Sequence, residues 1–244
     1  REISLEHPVA EDINIIVLAD MRSDFTEEEF RNFDAYLERG GNLFILGEPK
    51  RQQFMNPVIE RLGLRFADGI IVSPSEVNLD DLVAANIKEG AAKVSENYIR
   101  YFRSGYSIMT PSACAVEVID STKGFEITEV LASAGKGSWV EKETTDFINE
   151  KSVLNPAVGE VEKSNSIMLY LTRPVNNKEQ RIFVIGDADC ISNSELMMYR
   201  KGIKASNFSL ITESFRWLTD GEFPVNTRRP DSADTSISLE LSSM

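Results

Sequence analysis

The sequence has 244 residues, of which 42% are hydrophobic and 27% are charged, enough for one large domain with its own core. Lysine and arginine total 26 against 39 aspartates and glutamates, which gives a net charge of −13 and argues against a nucleic-acid partner. No apolar run approaches the roughly 20 residues of a membrane span, and no signal peptide is visible.

The first predicted elements form a strand–helix–strand unit. Residues 13–20 are a nearly continuous apolar run, which is typical of a strand buried on both faces. Thr26 and Glu29 have the spacing of a capping box and predict a helix over 27–39. Residues 42–46 are again apolar and predict the second strand. This order favours two parallel strands with a right-handed crossover.

The middle of the chain is predicted to be irregular and rich in short strands. Residues 64–72 indicate a bent strand or a hairpin, and residues 82–87 a further strand. Residues 88–163 are interpreted as a β-rich insertion, in which the polar stretch 142–163 is an exposed excursion.

The last part returns to regular structure. Residues 166–173 and the apolar run that ends in 182–186 predict an antiparallel hairpin, because only a short polar turn separates them. A helix is predicted over 207–219, with an apolar stripe for packing onto the sheet. The stripe consists of Phe208, Ile211, Phe215 and Leu218.

Together these elements predict one α/β domain over residues 1–224, with a mixed, mostly parallel sheet and helices on both of its faces. The predicted inner strands are 13–19, 42–46 and 182–186. Residues 225–244 have the composition of a linker or tail toward a membrane segment that is absent from this chain. Within them, the alternating Ile237, Leu239 and Leu241 allow one more edge strand.

Polar residues follow three of the predicted strands, namely Asp20, Glu48, Asp187, Asp189 and Asn193. Because parallel strands end at the same edge of a sheet, these side chains are predicted to line one ligand-binding rim. Their oxygens suit Mg²⁺ or Ca²⁺, with Asp187 and Asp189 as the candidate metal ligands. The alternative is that they only shape turns and helix caps and are neutralised by nearby arginines and lysines.

Neither cysteine has the setting of a catalytic nucleophile. Cys114 and Cys190 lie in no recognised nucleophile motif, and the only histidine, His7, precedes the first strand. No phosphate-binding loop is present, and no cofactor is expected. The sequence therefore predicts a protein that is not an enzyme and in which Cys190 is not a nucleophile, and it leaves the redox state of both thiols open.

Several segments resemble the extracytoplasmic domain of the gliding-motility-associated ABC transporter auxiliary proteins (GldG-like). The resemblance covers roughly residues 12–222 and rests on turns and strands. Its segments are D-I-N-I-I-V-L-A-D (12–20), Y-L-E-R-G-G-N-L-F-I-L-G-E-P (36–49), F-E-I-T-E-V-L-A-S-A-G-K-G-S-W-V-E (125–141), and R-I-F-V-I-G-D-A-D-C-I-S-N (181–193) with N-F-S-L-I-T-E-S-F-R-W-L (207–218).

The resemblance implies a class I glutamine amidotransferase-like (flavodoxin-like) fold without the catalytic residues. It also implies a periplasmic or extracytoplasmic domain of an inner-membrane protein, whose membrane helices lie outside this chain, which begins at Arg1 and is interpreted as an excised piece. The implied partners are an ABC permease and an ATPase subunit, and the implied role is ligand binding or protein contact. Two alternatives stay open: a metal-assisted hydrolase or amidotransferase-like enzyme that uses the acidic rim, and a carbohydrate-binding module that takes a small ligand or sugar.

Overall fold

The structure is a computed structural model that describes residues 2–221. The predicted tail 225–244, including Ile237, Leu239 and Leu241, lies outside the described residues. The strands are β1 (Ile15–Ala19), β2 (Asn42–Leu46), β3 (Leu64–Phe66), β4 (Ile70–Val72), β5 (Leu82–Ile87), β6 (Ile108–Pro111), β7 (Val116–Val118), β8 (Glu126–Ala132), β9 (Trp139–Glu141), β10 (Ser166–Val175) and β11 (Lys178–Ile185). The helices are α1 (Glu27–Glu38), α2 (Gln52–Ile59), α3 (Glu96–Arg103), α4 (Asn193–Met197) and α5 (Asn207–Leu218).

Among residues 2–221, seven strands form one sheet in the order β1-β2-β11-β10-β8-β5-β6. The sheet is mixed, but the prediction that it is mostly parallel is wrong. Only the β1–β2 and β2–β11 pairs are parallel, and the four pairs from β11 to β6 are antiparallel. The reversal begins at the predicted hairpin, where Asn176 and Asn177 both adopt positive φ (49° and 63°). Two such residues match the right-handed twist of an antiparallel pair.

The position of the first strand also differs from the prediction. The three strands predicted to be inner are adjacent, but β1 lies at the edge of the sheet and has β2 as its one neighbour within residues 2–221. Ile16 and Leu18 pack with one core and Ile15 with the other, whereas Val17 and Ala19 are exposed, as an edge position allows.

Helices cover both faces of the sheet, as predicted. Alternate residues of β2 belong to two different cores: Leu43 and Ile45 pack with α1 and α2, whereas Phe44 and Leu46 pack with α3 and α5. All four side chains are fully buried. A strand with apolar residues on both faces therefore needs a helical layer on each side.

The predicted start of α1 is confirmed in detail. The Thr26 hydroxyl accepts a hydrogen bond from the Glu29 N–H at 3.2 Å, and the Glu29 carboxylate accepts one from the Thr26 N–H at 2.7 Å. The rings of Phe25 and Phe30 pack edge to face across this cap, with centroids 5.3 Å apart. These local contacts fix both the first residue and the direction of the helix.

Helix α5 has the predicted bounds to within one residue, and its predicted apolar stripe is buried only in part. Leu218 is 2% exposed and Phe215 packs against the core, as predicted. Phe208 is 70% exposed, whereas Leu210 and Ser214 are fully buried. The reason is Asn207, a buried polar anchor at the start of the helix. Its amide accepts from the Met109 N–H at 2.9 Å and donates to the carbonyls of Met109 and Cys190 at 2.7 and 2.8 Å. These three bonds set the rotation of the helix about its axis.

The hairpin interpretation of residues 64–72 is wrong. β3 pairs with β7 and β4 pairs with β9, so the two short strands belong to separate two-stranded sheets. Buried carboxylates organise the loops beyond them. Asp80 accepts bonds from the Ser152 N–H at 2.8 Å and from Lys151 Nζ at 3.1 Å, which attaches the 142–163 excursion to the rest of the domain.

The backbone after β11 passes very close to a neighbouring segment. A Cβ on Gly186 would lie 1.9 Å from the Cys114 carbonyl oxygen. Because this oxygen belongs to the backbone, no movement of a side chain could make room for the added carbon. Two backbone bonds fix this approach: the Cys114 N–H donates to the Gly186 carbonyl at 2.8 Å, and the Gly186 N–H donates to the Ile167 carbonyl at 2.9 Å.

We expect Gly186→Ala to lower the free energy of unfolding by at least about 3 kcal/mol, because the backbone must move to admit one methyl group. Chemical denaturation measures this change. The matched control is Gly135→Ala, whose added Cβ would have no atom within 4 Å. Equal stability of the two variants would contradict the close approach.

Candidate functional site

The parallel part of the sheet brings several acidic residues to one edge. Ala19, Leu46 and Ile185 are in register as the last residues of β1, β2 and β11. The chain beyond them is held together as well, since the Gly47 N–H donates to the Ile185 carbonyl at 2.7 Å. Asp20, Glu48 and Asp187 therefore leave the sheet side by side, at the edge where open α/β sheets usually carry their sites.

Asp187 is the most enclosed of these groups, with no exposed surface. Its Oδ1 accepts bonds from the N–H groups of Asp189 and Cys190 at 2.7 and 3.1 Å, so it organises the turn that follows β11. Its Oδ2 has no hydrogen-bond partner within residues 2–221. Burial, followed by the charge of Glu48, raises the pKa of Asp187 well above its usual range. The surroundings of this side chain therefore favour its protonated form.

Glu48 is half-buried beside it. Burial, with added repulsion from Asp189 and Asp20, raises the pKa of Glu48 from 4.5 to about 7. Close to half of the Glu48 population is therefore protonated at neutral pH. The rim thus carries less negative charge than its four carboxyl groups would give in water.

Arginines neutralise Asp20, as the turn-and-cap alternative anticipates. Arg22 Nη2 lies 2.6 Å from Asp20 Oδ2, and Arg51 Nε lies 3.4 Å from Asp20 Oδ1. The second pair is close enough for charge attraction but not for a well-formed hydrogen bond, and Oδ1 accepts none from residues 2–221. Arg22 is two positions from Asp20 in the sequence, whereas Arg51 follows β2 and reaches Asp20 because the two strands end side by side.

Asn193 is placed differently from the four carboxylates. It is the first residue of α4, its side chain is exposed, and no hydrogen bond joins it to them in the described part of the chain. The helix is capped by Ser192, whose hydroxyl accepts from the Glu195 N–H at 3.2 Å. Within residues 2–221, no group of three or more His, Cys, Asp or Glu side chains is arranged to hold a metal ion.

Two residues that sequence reasoning did not connect with the rim border it. Gln52 Nε2 donates to Cys114 Sγ at 3.4 Å. Burial, followed by the charges of Glu48 and Asp187, raises the pKa of the Cys114 thiol. Nothing in the sequence around Cys114 indicates this position, because a contact across the fold creates it.

Cys190 follows the rim but is enclosed. It has no exposed surface, and its Sγ donates to the Asp187 carbonyl at 3.2 Å. Burial and the neighbouring carboxyls raise its pKa well above the usual value, which disfavours the thiolate that a nucleophile needs.

Comparisons with known proteins give a different relationship from the one that the segments suggested. The chain is 25% identical to the human intraflagellar transport protein 52 homolog over 238 residues, which cover 93% of this chain and 47% of that protein. The mouse homolog is also 25% identical, over 239 residues that cover 93% of this chain and 49% of the relative. The chain thus spans about half the length of the curated relatives it matches. No family model matches the chain.

A solved structure shares the fold. The mmIFT52 N-terminal domain superposes with a TM-score of 0.56 at 16% identity, over 86% of this chain and 78% of that one. At this level of identity the similarity shows the fold.

These relatives overturn the resemblance to the gliding-motility-associated ABC auxiliary proteins. They are named for intraflagellar transport, so the expected ABC permease and ATPase partners and the expected auxiliary role in an ABC system are wrong. The expected periplasmic location in an inner-membrane protein is wrong as well, because the matched proteins are human and mouse. They lend no support to a metal-assisted hydrolase, an amidotransferase-like enzyme or a carbohydrate-binding module.

Across the described part of the chain, no helix combines the length and the apolar character needed to cross a bilayer. The relatives are named as transport proteins rather than as enzymes.

The raised pKa of Glu48 predicts how stability depends on pH. Between its ordinary value of 4.5 and its folded value of about 7, the folded state holds a proton that the unfolded state has lost. The free energy of unfolding therefore falls as the pH rises through this window. We expect Glu48→Gln, which cannot ionise, to gain stability relative to the parent chain between about pH 5 and pH 8.

Denaturation series at several pH values measure this difference. The groups that face Glu48, namely Asp20, Arg51, Asp187 and Asp189, stay unchanged in the variant. Parallel stability profiles for the two proteins would contradict the raised pKa.

We also expect both thiols to be unreactive in the folded chain. An electrophilic thiol probe should label Cys114 and Cys190 slowly at neutral pH and rapidly after denaturation, because burial disfavours the thiolate. Mass spectrometry of the labelled peptides gives the two rates. Rapid labelling of Cys190 in the folded protein would show that the site is open.

Proposed function

We propose that this chain is a non-catalytic domain that makes protein contacts in a transport assembly, within a protein related to the intraflagellar transport protein 52 homologs. The observation that carries the proposal is the 25% identity to the human protein along 238 residues, 93% of this chain. A match of this extent compares a whole domain rather than a motif. The proposal concerns the matched half of the relatives.

The chemistry of the rim supports a role without catalysis. The buried carboxyl group of Asp187 shapes the turn after β11, and two arginines neutralise Asp20. The thiol of Cys190 is enclosed, so no side chain here combines access, charge and a base in the way that nucleophilic catalysis requires.

An exposed apolar surface beside the rim supports a role in protein contact. Met197 at the end of α4, Tyr199 just after it and Phe208 at the start of α5 are 86%, 84% and 70% exposed. Helices α4 and α5 contact each other. Large apolar side chains grouped in this way are typical of surfaces that other proteins cover.

The glutamine amidotransferase-like architecture is kept as a finer part of this proposal. Its support is the parallel trio of β1, β2 and β11 with helices on both faces, and the tight turn after β11 where such α/β folds place a nucleophile. In this chain the turn holds the enclosed Cys190.

A replacement experiment tests the proposed function. In mouse cells that lack the intraflagellar transport protein 52 homolog, this chain replaces the matched half of the mouse protein. We expect the chimera to enter cilia and to restore their length at least in part. Fluorescence microscopy measures both, and immunoblots confirm equal amounts of protein.

Two variants of the chimera make the test specific. Met197→Ser with Phe208→Ser should reduce ciliary entry about fivefold or more if the apolar surface makes contacts, since hot-spot residues carry much of the affinity. The control, Val161→Ser, changes an exposed apolar residue outside that surface. A folded chimera that never enters cilia would contradict the proposal.

A further inference from the structure

The edge strand β1 offers unpaired backbone groups. The Asn42 N–H donates to the Asn14 carbonyl and the Asp20 N–H donates to the Leu46 carbonyl, so the even-numbered residues face β2. Backbone groups alternate in direction along a strand. The N–H and C=O groups of Ile15, Val17 and Ala19 therefore point away from β2, toward the free edge of the sheet. These groups find no backbone partner within residues 2–221.

The strand lacks the features that usually protect such an edge. Natural edge strands carry a lysine, a proline or a bulge that prevents pairing with another chain. Residues 15–19 read I-I-V-L-A, and their pairing with β2 is regular. Val17, in the middle of the strand, is 46% exposed. As far as residues 2–221 are concerned, the edge is therefore open to an added strand.

A groove runs along this edge. It has a volume of about 620 Å³, and its walls are the segment 2–5, residues 12–18, Phe25 and Phe215. Phe25 packs with the core under α1, whereas Phe215 packs with the core under α5. The groove thus borders both faces of the sheet, as the space for one more strand must.

The charge of the groove distinguishes between occupants. Three acidic residues line it, Glu2, Asp12 and Glu29, and no lysine, arginine or histidine is among the described lining residues. A second copy of this chain, with a net charge of −13, would bring the same acids to the interface and be repelled. A segment with basic residues at its ends would be attracted.

We propose that β1 is the docking site for an extended segment of a partner protein, which adds to the sheet as a new strand. The segment carries apolar side chains at alternate positions and lysine or arginine at its flanks. Main-chain hydrogen bonds to Ile15, Val17 and Ala19 provide affinity, and the acidic groove selects the flanks. The inference rests on the proposed function and deepens it by naming one contact surface and the chemistry of its partner.

The test uses the full chain and a fluorescent peptide, KKVTVTVKK. We expect saturable binding and slower hydrogen exchange at the amides of Ile15, Val17 and Ala19. A control peptide with glutamates in place of the lysines should bind at least about tenfold more weakly, a difference of about 1.4 kcal/mol. A second control with N-methylated valines cannot form the main-chain bonds and should not bind.

Two protein variants locate the site. Val17→Pro removes one outward N–H and leaves the even-numbered bonds to β2, so we expect binding to weaken about tenfold or more. Because proline can also disturb folding, the second variant is Glu2→Gln with Asp12→Asn, which changes exposed acids only. It should weaken binding of the lysine peptide severalfold at low salt and leave the glutamate peptide unaffected or improved.

Several outcomes would overturn the inference. They are absence of binding in the millimolar range, equal binding to a folded Val17→Pro variant, or protection that lies outside β1. A concentration-dependent dimer with protected β1 amides would identify a second copy as the occupant. If the β1 amides are already protected in the free chain and lose that protection in the double variant Ile237→Asp with Leu239→Asp, the occupant of the edge is the chain's own C-terminal segment. Failure here leaves the chimera experiment to decide the proposed function.

Discussion

The structure depends on one constraint, which is that β2 and β11 are buried on both faces as well as along their edges. Phe44 and Phe183 pack against each other on one face, with ring centroids 5.8 Å apart, and Leu43 and Val184 lie in the other core. Two separate apolar layers are needed to satisfy these strands, so helices must cover both sides. The parallel register of the same strands brings their carboxyl ends together, and the acidic rim is a consequence of that register.

The rim illustrates how a buried carboxyl group serves structure. An isolated buried charge is very unfavourable, so such a group either pairs with a cation or takes up a proton. Asp20, near the surface, is paired with Arg22 and Arg51. Burial raises the pKa of Asp187, in the interior, and its Oδ1 accepts hydrogen bonds from the turn after β11. Glu48 lies between these two cases. The carboxylates that resemble a ligand site in the sequence therefore serve here largely to bind nearby backbone N–H groups and neighbouring arginines.

Local signals in the sequence were sufficient where the structure is local. The capping box of Thr26 and Glu29, the buried strands and the hairpin before β11 follow from residues close to one another in the chain. The pairing of β3 with β7 does not, because nothing in either strand specifies its partner, and the buried face of α5 depends on contacts of Asn207 with residues 98 and 17 positions away. The assignment to ABC auxiliary proteins was wrong because its segments are strands and turns, which unrelated functions share. The sequence was sufficient to predict that the carboxylates after the parallel strands lie at one edge of the sheet. It could not predict their pKa values, because these depend on how deeply each carboxyl group is buried.

The pairing of the central strands has a consequence for biosynthesis. Arg181 of β11 and Asn42 at the start of β2 are joined by a hydrogen bond although 139 residues separate them. At ordinary rates of translation the ribosome needs on the order of ten seconds to produce that interval. During this time the backbone groups on one edge of β2 lack their partner strand, and its apolar side chains lack part of their cover. Folding during synthesis therefore includes an interval in which β2 waits for β11, and a chaperone that binds exposed strands would act on the chain during this interval.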